Sequence, residues 1–236
     1  MIQKYLIDMK KIAVLAAVAV LFTSCVIRVN NGSNGKSVKC TGPVVTKVME
    51  GLDGFNAITI NGGADLEVIQ ADVCEVTVTA NDDVFQHLDY KVEDGILILE
   101  TIDHVGIKAQ TFDIFIKIPE LTGVTVNGAS DLDMKGGYSS DKGLDIVING
   151  AGDIDITGIT VPSLSIVLNG AGDIDIKDMD VETLSVGISG AGDIDLSGKA
   201  TSANFNVSGA GDIDASNLET SSVTTHKAGF ASIKLK

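Results

Sequence analysis

Aspartates in pairs, two residues apart and returning about every 20 residues, are the groups in this chain best placed to do chemistry. One set is Asp131, Asp153, Asp173, Asp193 and Asp212; the other is Asp133, Asp155, Asp175, Asp195 and Asp214. Asp65 and Glu67 hold the matching places in a distant upstream copy. If each set forms a column, like charges sit about 4.8 Å apart. They then repel by about 1 kcal/mol per pair in bulk water, and more at lower dielectric. Cations, backbone donors or raised pKa values must offset that cost. Calcium takes roughly six to eight oxygen ligands, so Asp153, Asp155, Asp173, Asp175, Asp193 and Asp195 are the candidate residues for a calcium ladder. The competing reading is structural: the first Asp accepts turn N–H groups and the second is a solvated outward residue. It is preferred, because the spacing differs from that of the nine-residue calcium repeats the string resembles. No other cofactor is expected.

The elements that must position these carboxylates are written in the same repeat. NGAGDIDI begins at Asn149 and Asn169, SGAGDIDL at Ser189, SGAGDIDA at Ser208 and NGASDLDM at Asn127. The spacings from Asn127 onward are 22, 20, 20 and 19 residues. A fixed period that holds strand-like units and turns means a solenoid, whose units bury their apolar faces only by stacking. Within a repeat, Leu144, Ile146 and Ile148 alternate with polar positions, then Gly150-Ala151-Gly152 turns the chain. Ile154 and Ile156 follow, on the face opposite Asp153 and Asp155. Three short strands and three corners per repeat predict an all-β parallel β-helix filled by Ile, Val and Leu, with Ile154, Ile174 and Ile194 as one interior column. Gly is expected at the corner for positive φ. In the last copy Phe230 and Ser232 are read as replacing the two aspartates, with Phe230 closing the apolar end.

The remaining segments differ in character. Residues 1–24 read as a lipoprotein-type signal peptide: Lys10 and Lys11, an apolar run from Ile12 to Phe22, then Thr23-Ser24-Cys25. The run is too short for a stable span. Cys25 is the expected lipidation site, and several acyl chains together anchor stably. Residues 25–43, rich in Asn, Gly and Ser, are expected to be a flexible tether. Residues 44–125 form a less regular β half, with alternating strands around Ala57, Asp65, Glu75, Gly95 and Phe112. Asp82–Leu88 is a short helical turn and 103–110 a loop. Residues 126–236 hold the regular repeats. With Cys25 lipidated, Cys40 and Cys74 are left as an expected disulfide in an oxidising compartment.

Composition excludes several functions. Removing a leader with three Lys and one Asp leaves 14 basic and 31 acidic residues, a net charge of −17. That argues against nucleic acid and against direct docking on anionic lipid. The single Arg is Arg28, in the tether, so the body has no Arg for the basic role that polysaccharide lyases on β-helices place near bound calcium. A glycosidase needs carboxylates in distinct environments, whereas these are near-identical copies. His87, His104 and His226 are scattered, and the chain has no Trp for stacking on sugars.

The NGAGDIDI and SGAGDIDL units, with the Gly54-Phe55-Asn56-Ala57-Ile58 lead-in to the Asn61 copy, resemble the head GIN domain of auto-transporter adhesins. The resemblance covers about 44–235 and implies a right-handed single-stranded β-helix on a lipoprotein or secreted protein. The expectation is a non-enzymatic envelope lipoprotein, adhesin-like or scaffolding, anchored by lipid to a bacterial outer membrane. Its partner is an envelope protein or a glycan. The alternatives are a β-helical enzyme acting on polysaccharide and a calcium-dependent structural module.

Overall fold

The structure, a computed structural model, describes residues 36–236. The signal peptide and Cys25 lie outside the described residues. The chain is all-β, broken by two short 3₁₀ turns at Asp82–His87 and Ile102–His104. Most strands join one mixed sheet of 15 strands.

Alternation sets the inside and the outside. In Ile154–Thr157 the two isoleucines are buried and Asp155 and Thr157 are half-buried. Each repeat then pairs in parallel with the next, and the register lays like on like. Val124, Ile146, Ile166, Val186 and Phe205 occupy successive rungs, all buried. On the following strand Leu132, Ile154, Ile174 and Ile194 do the same. Size is balanced between columns. Where Val186 gives way to Phe205, the neighbouring Leu184 gives way to Ala203, so the ring is offset by a lost side chain and volume is kept.

The uneven spacings are absorbed at corners. Between Asn127 and Asn149 the extra residues fall in 135–143, where buried Tyr138 accepts the Leu121 N–H at 2.7 Å and donates to the Leu121 carbonyl at 2.8 Å. The 19-residue spacing comes from a one-residue register shift between Ile176 and Met179, after which Met179 faces Gly198. Asp178, at φ 55°, takes up the bend.

The GAG corner shows why glycine is needed twice. Gly170 has φ 151°, and a Cβ there would lie 1.7 Å from the Gly150 carbonyl oxygen. Gly172 stands in the same relation to Gly152, at 2.0 Å. Conformation alone would not forbid alanine so strictly; the backbone of the preceding repeat occupies the space.

The irregular half extends the same ladders before departing from them. Ile96–Thr101 and Ala57–Gly62 pair in parallel beneath Gly123–Ala129, and Phe112–Ile118 and Asp65–Gln70 lead to Leu132–Met134. Antiparallel strands then finish this side: Val44–Met49 on Glu75–Asn81, Glu75–Asn81 on Phe112–Ile118, and Leu88–Glu93 on Ile96–Thr101. Ser37–Lys39, inside the expected tether, pairs with Gly106–Lys108, inside the expected loop.

The last repeat corrects the reading of its end. Gly229 stacks on Gly209, so Phe230 stands at the place of Ala210 and is 91% exposed. It closes nothing. Ser232 and Lys234 take the places of the two aspartates, touching Asp212 and Asp214 respectively.

Candidate functional site

The outward carboxylates follow directly from the strand register. Asp133, Asp155, Asp175 and Asp195 are paired rung by rung, and the first-column aspartates lead into the same strands from the corner. The two columns behave differently.

In the first column each carboxylate is a backbone acceptor for the next repeat. Oδ1 of Asp131 accepts the Asp153 N–H at 2.9 Å, and Oδ1 of Asp153 accepts the Asp173 N–H at 2.8 Å. Asp173 does the same for Asp193 at 2.8 Å, Asp193 for Asp212 at 2.9 Å, and Asp212 for Ser232 at 3.1 Å. Charge-assisted bonds of this kind are the stronger class. At the upstream end, burial first, then the charges of Asp131 and Asp113, push the Asp65 carboxyl above its ordinary value. The like-charge cost of stacking is visible there.

In the second column lysines do the neutralising. Lys135 bridges two repeats, reaching Asp133 at 2.6 Å and Asp155 at 3.4 Å. Lys177 pairs with Asp175. Asp214 accepts the Ser216 hydroxyl, the Ser216 N–H at 2.9 Å and the Lys234 ammonium at 2.9 Å. The serine hydroxyl first, then Lys234, hold the Asp214 carboxyl down at about 2. Asp175, Asp195 and Asp214 line a shallow groove of about 240 Å³ together with Lys177, Ser197 and Asn217.

These contacts bear on the calcium candidates. Asp153, Asp173 and Asp193 each commit an oxygen to backbone, and Asp155 and Asp175 contact lysines. Among the described residues no three His, Cys, Asp or Glu side chains come together as a metal site. That includes Asp195 and the three histidines.

A third ladder was missed in the sequence. Asn127 donates to Asn61 at 2.8 Å, Asn149 to Asn127 at 2.9 Å, and Asn169 to Asn149 at 2.9 Å; Asn61 ends the series on Glu100 at 3.3 Å. The signal was the first letter of the repeated octapeptide, which was read only as part of a turn.

The expected disulfide is absent: Cys40 and Cys74 are free thiols. The topology keeps them apart. Cys40 sits beside the Asn81 end of Glu75–Asn81, where Asn81 donates to the Gly42 carbonyl at 2.6 Å and Asp83 accepts the Thr41 N–H at 2.8 Å. Cys74 precedes the other end of that strand, which is about 20 Å long at strand rise. A disulfide needs Cα atoms within about 7 Å. Burial pushes the Cys40 thiol up, with Asp83 adding to it, and Cys74 Sγ rests 3.8 Å from the Phe55 carbonyl oxygen.

Parallel repeats held by backbone and by Asp and Asn ladders define a class: all-β repeat proteins. The family model described as "Putative auto-transporter adhesin, head GIN domain" matches residues 54–236, and the chain belongs to that family. Solved structures agree on the fold. A "putative adhesin" from Bacteroides fragilis NCTC 9343 is 19% identical with a TM-score of 0.68. A "putative lipid binding protein" from Parabacteroides distasonis ATCC 8503 is 19% identical with a TM-score of 0.69. A second "putative adhesin" from the latter strain is 16% identical, at 0.52. In each case the match covers 85% of this chain and 100% of the other. No curated protein matches the chain.

Proposed function

We propose that the stacked repeats make a right-handed, single-stranded parallel β-helix, and that the chain is a non-enzymatic, adhesin-like lipoprotein of the cell envelope. In this reading Cys25 carries the acyl anchor in the outer membrane, and a side face of the solenoid binds an envelope protein or a glycan. The observation that carries it is the repetition of the ladders. The first Asp column and the Asn column each spend their side chains on the next repeat, which stiffens a long regular surface. Catalysis calls for a few carboxylates in contrasting environments; a display surface calls for many in equivalent ones. Membership of the adhesin-like family supports the same reading.

Two measurements test it. Cys25→Ser should move the protein from the membrane to the soluble fraction and remove the mass of the acyl chains; unchanged fractionation and mass would refute the anchor. The purified chain on a glycan and envelope-protein array, with and without calcium, should give saturable binding to a small set of ligands in both conditions. Turnover of a polysaccharide on the same array would overturn the non-enzymatic reading.

A further inference from the structure

The last repeat reverses the charge of the repeats before it. Residues 220–236 contain Lys227, Lys234, Lys236 and His226 and no Asp or Glu, in a chain with 32 acidic and 17 basic residues. Its inner side is stacked on the preceding repeat through Gly209, Asp212 and Asp214. Among the described residues no separate strand lies on its outer side, so a row of backbone N–H and C=O groups faces outward. Apolar groups are uncovered along it: Phe230 is 91% exposed and Leu235 43%, and Val223 and Ile233 are only partly buried. Ala215, Leu218, Val223 and Leu235 also wall an open groove of about 490 Å³, with Glu219 and Lys236 at its margin.

We propose that this edge accepts an acidic, extended polypeptide segment by strand addition, its apolar residues set over Val223, Ile233 and Leu235 and one carboxylate on Lys234. Added strands satisfy exposed edge groups, and pockets for alternate side chains give specificity. The protein already contains the ion contact required. Lys135 holds the carboxylates of two successive repeats, Asp133 and Asp155. Lys234 stands in the aspartate column itself, one rung beyond Asp214, and holds that one carboxylate at 2.9 Å. A carboxylate one strand spacing further out would place the ammonium between two carboxylates, the charge arrangement that Lys135 reaches from beside the column. A second copy docking edge to edge would set lysines against lysines. An anionic lipid surface would neutralise the lysines and leave the backbone groups unpaired. This edge is distinct from the side face proposed above, and neither reading depends on the other.

The test uses a fluorescent peptide with the sequence of residues 164–183, which alternates apolar with acidic residues and carries Asp173, Asp175, Asp178, Asp180 and Glu182. Titrated with the full chain, its anisotropy should rise to saturation. Lys234→Glu should weaken binding about tenfold, Lys234→Arg should preserve it, and the peptide with Asp173 and Asp175 changed to Lys should lose it. Exposed Lys227 gives a second variant: if Lys234→Glu frays the repeat, Lys227→Glu should still weaken binding and steepen its loss with salt. Equal binding by both glutamate variants overturns the proposal. So does lysine-dependent binding to phosphatidylglycerol vesicles without peptide binding, or a dimer in sedimentation that the peptide does not compete. Ligands found on the array should be insensitive to Lys234→Glu, which separates a failure here from a failure of the side-face reading.

Discussion

Gly170→Ala and Gly62→Ala make a matched pair that isolates one physical effect. Both glycines have φ 151°. A Cβ at Gly62 meets nothing within 4 Å, whereas at Gly170 it lies 1.7 Å from the Gly150 oxygen. Positive φ by itself costs about 1–3 kcal/mol for a residue with a side chain, and Gly62→Ala should cost that much. At Gly170 the contact must open by more than 1 Å to reach the 3.0 Å that real Cβ atoms tolerate. Such a shift breaks the local ladder bonds, each worth about 1 kcal/mol net. With two or three lost on top of the φ strain, the total is about 3–6 kcal/mol. For a domain of this size each kcal/mol lowers Tm by roughly 2–4 °C, so Gly170→Ala should melt about 10–20 °C below wild type. Gly62→Ala should melt only a few degrees below it. Calorimetry or circular dichroism reads both. Equal melting temperatures would falsify the claim that the neighbouring repeat, and not φ, dictates glycine at this corner.

Other outcomes follow from the same geometry. Ile174, 1% exposed in the interior column, should not tolerate Asp: Ile174→Asp buries an unpaired charge and should severely destabilise the array, a prediction lost if Tm moves by only a few degrees. Asp173→Asn should cost more than Asp195→Asn, because only Asp173 accepts a backbone N–H of the next repeat, at 2.8 Å; urea titrations giving the reverse order would remove the distinction between the columns. Asp214, held at about 2, is depressed below the ordinary 3.8. Its contribution to stability is therefore complete above about pH 4 and fades as pH falls from 3.8 toward 2. Asp214→Asn should be most harmful near neutrality, with its difference from wild type closing by pH 2. Alkylation of the unfolded chain without reductant should label both Cys40 and Cys74; a cross-linked peptide containing the two would contradict the free thiols.

Much of the architecture was legible because the core is written in period two. Ile154, Ile156, Ile174 and Ile194 could be placed inward from alternation alone, and the register confirms them. The structural role of the first Asp column was also readable, since Asp commonly accepts turn N–H groups; what could not be read was that each donor belongs to the following repeat. The Asn61–Asn169 ladder hid for the same reason. A side chain that bonds its own copy one repeat away leaves no local mark. Phe230 was misplaced because the last copy has no aspartate to align on, and only the stacking of Gly229 on Gly209 sets its register. The cysteine pairing failed on a distance across antiparallel strands in the irregular half, where no repeat reports which ends lie together.

Both ladders run one way. Each Asp131-type carboxylate receives the N–H of a later repeat, and each Asn127-type amide donates back to an earlier one. From Asn127 and Asp131 onward, the acceptor in these side-chain ladders stands on the amino-terminal side of its donor. The backbone at the same corners runs the other way: the Leu132 N–H donates to the Asp153 carbonyl and the Ile154 N–H to the Asp173 carbonyl. Each corner is thus stitched to its successor by threads of both polarities, and no repeat can peel from the next without breaking bonds in which it is donor and bonds in which it is acceptor.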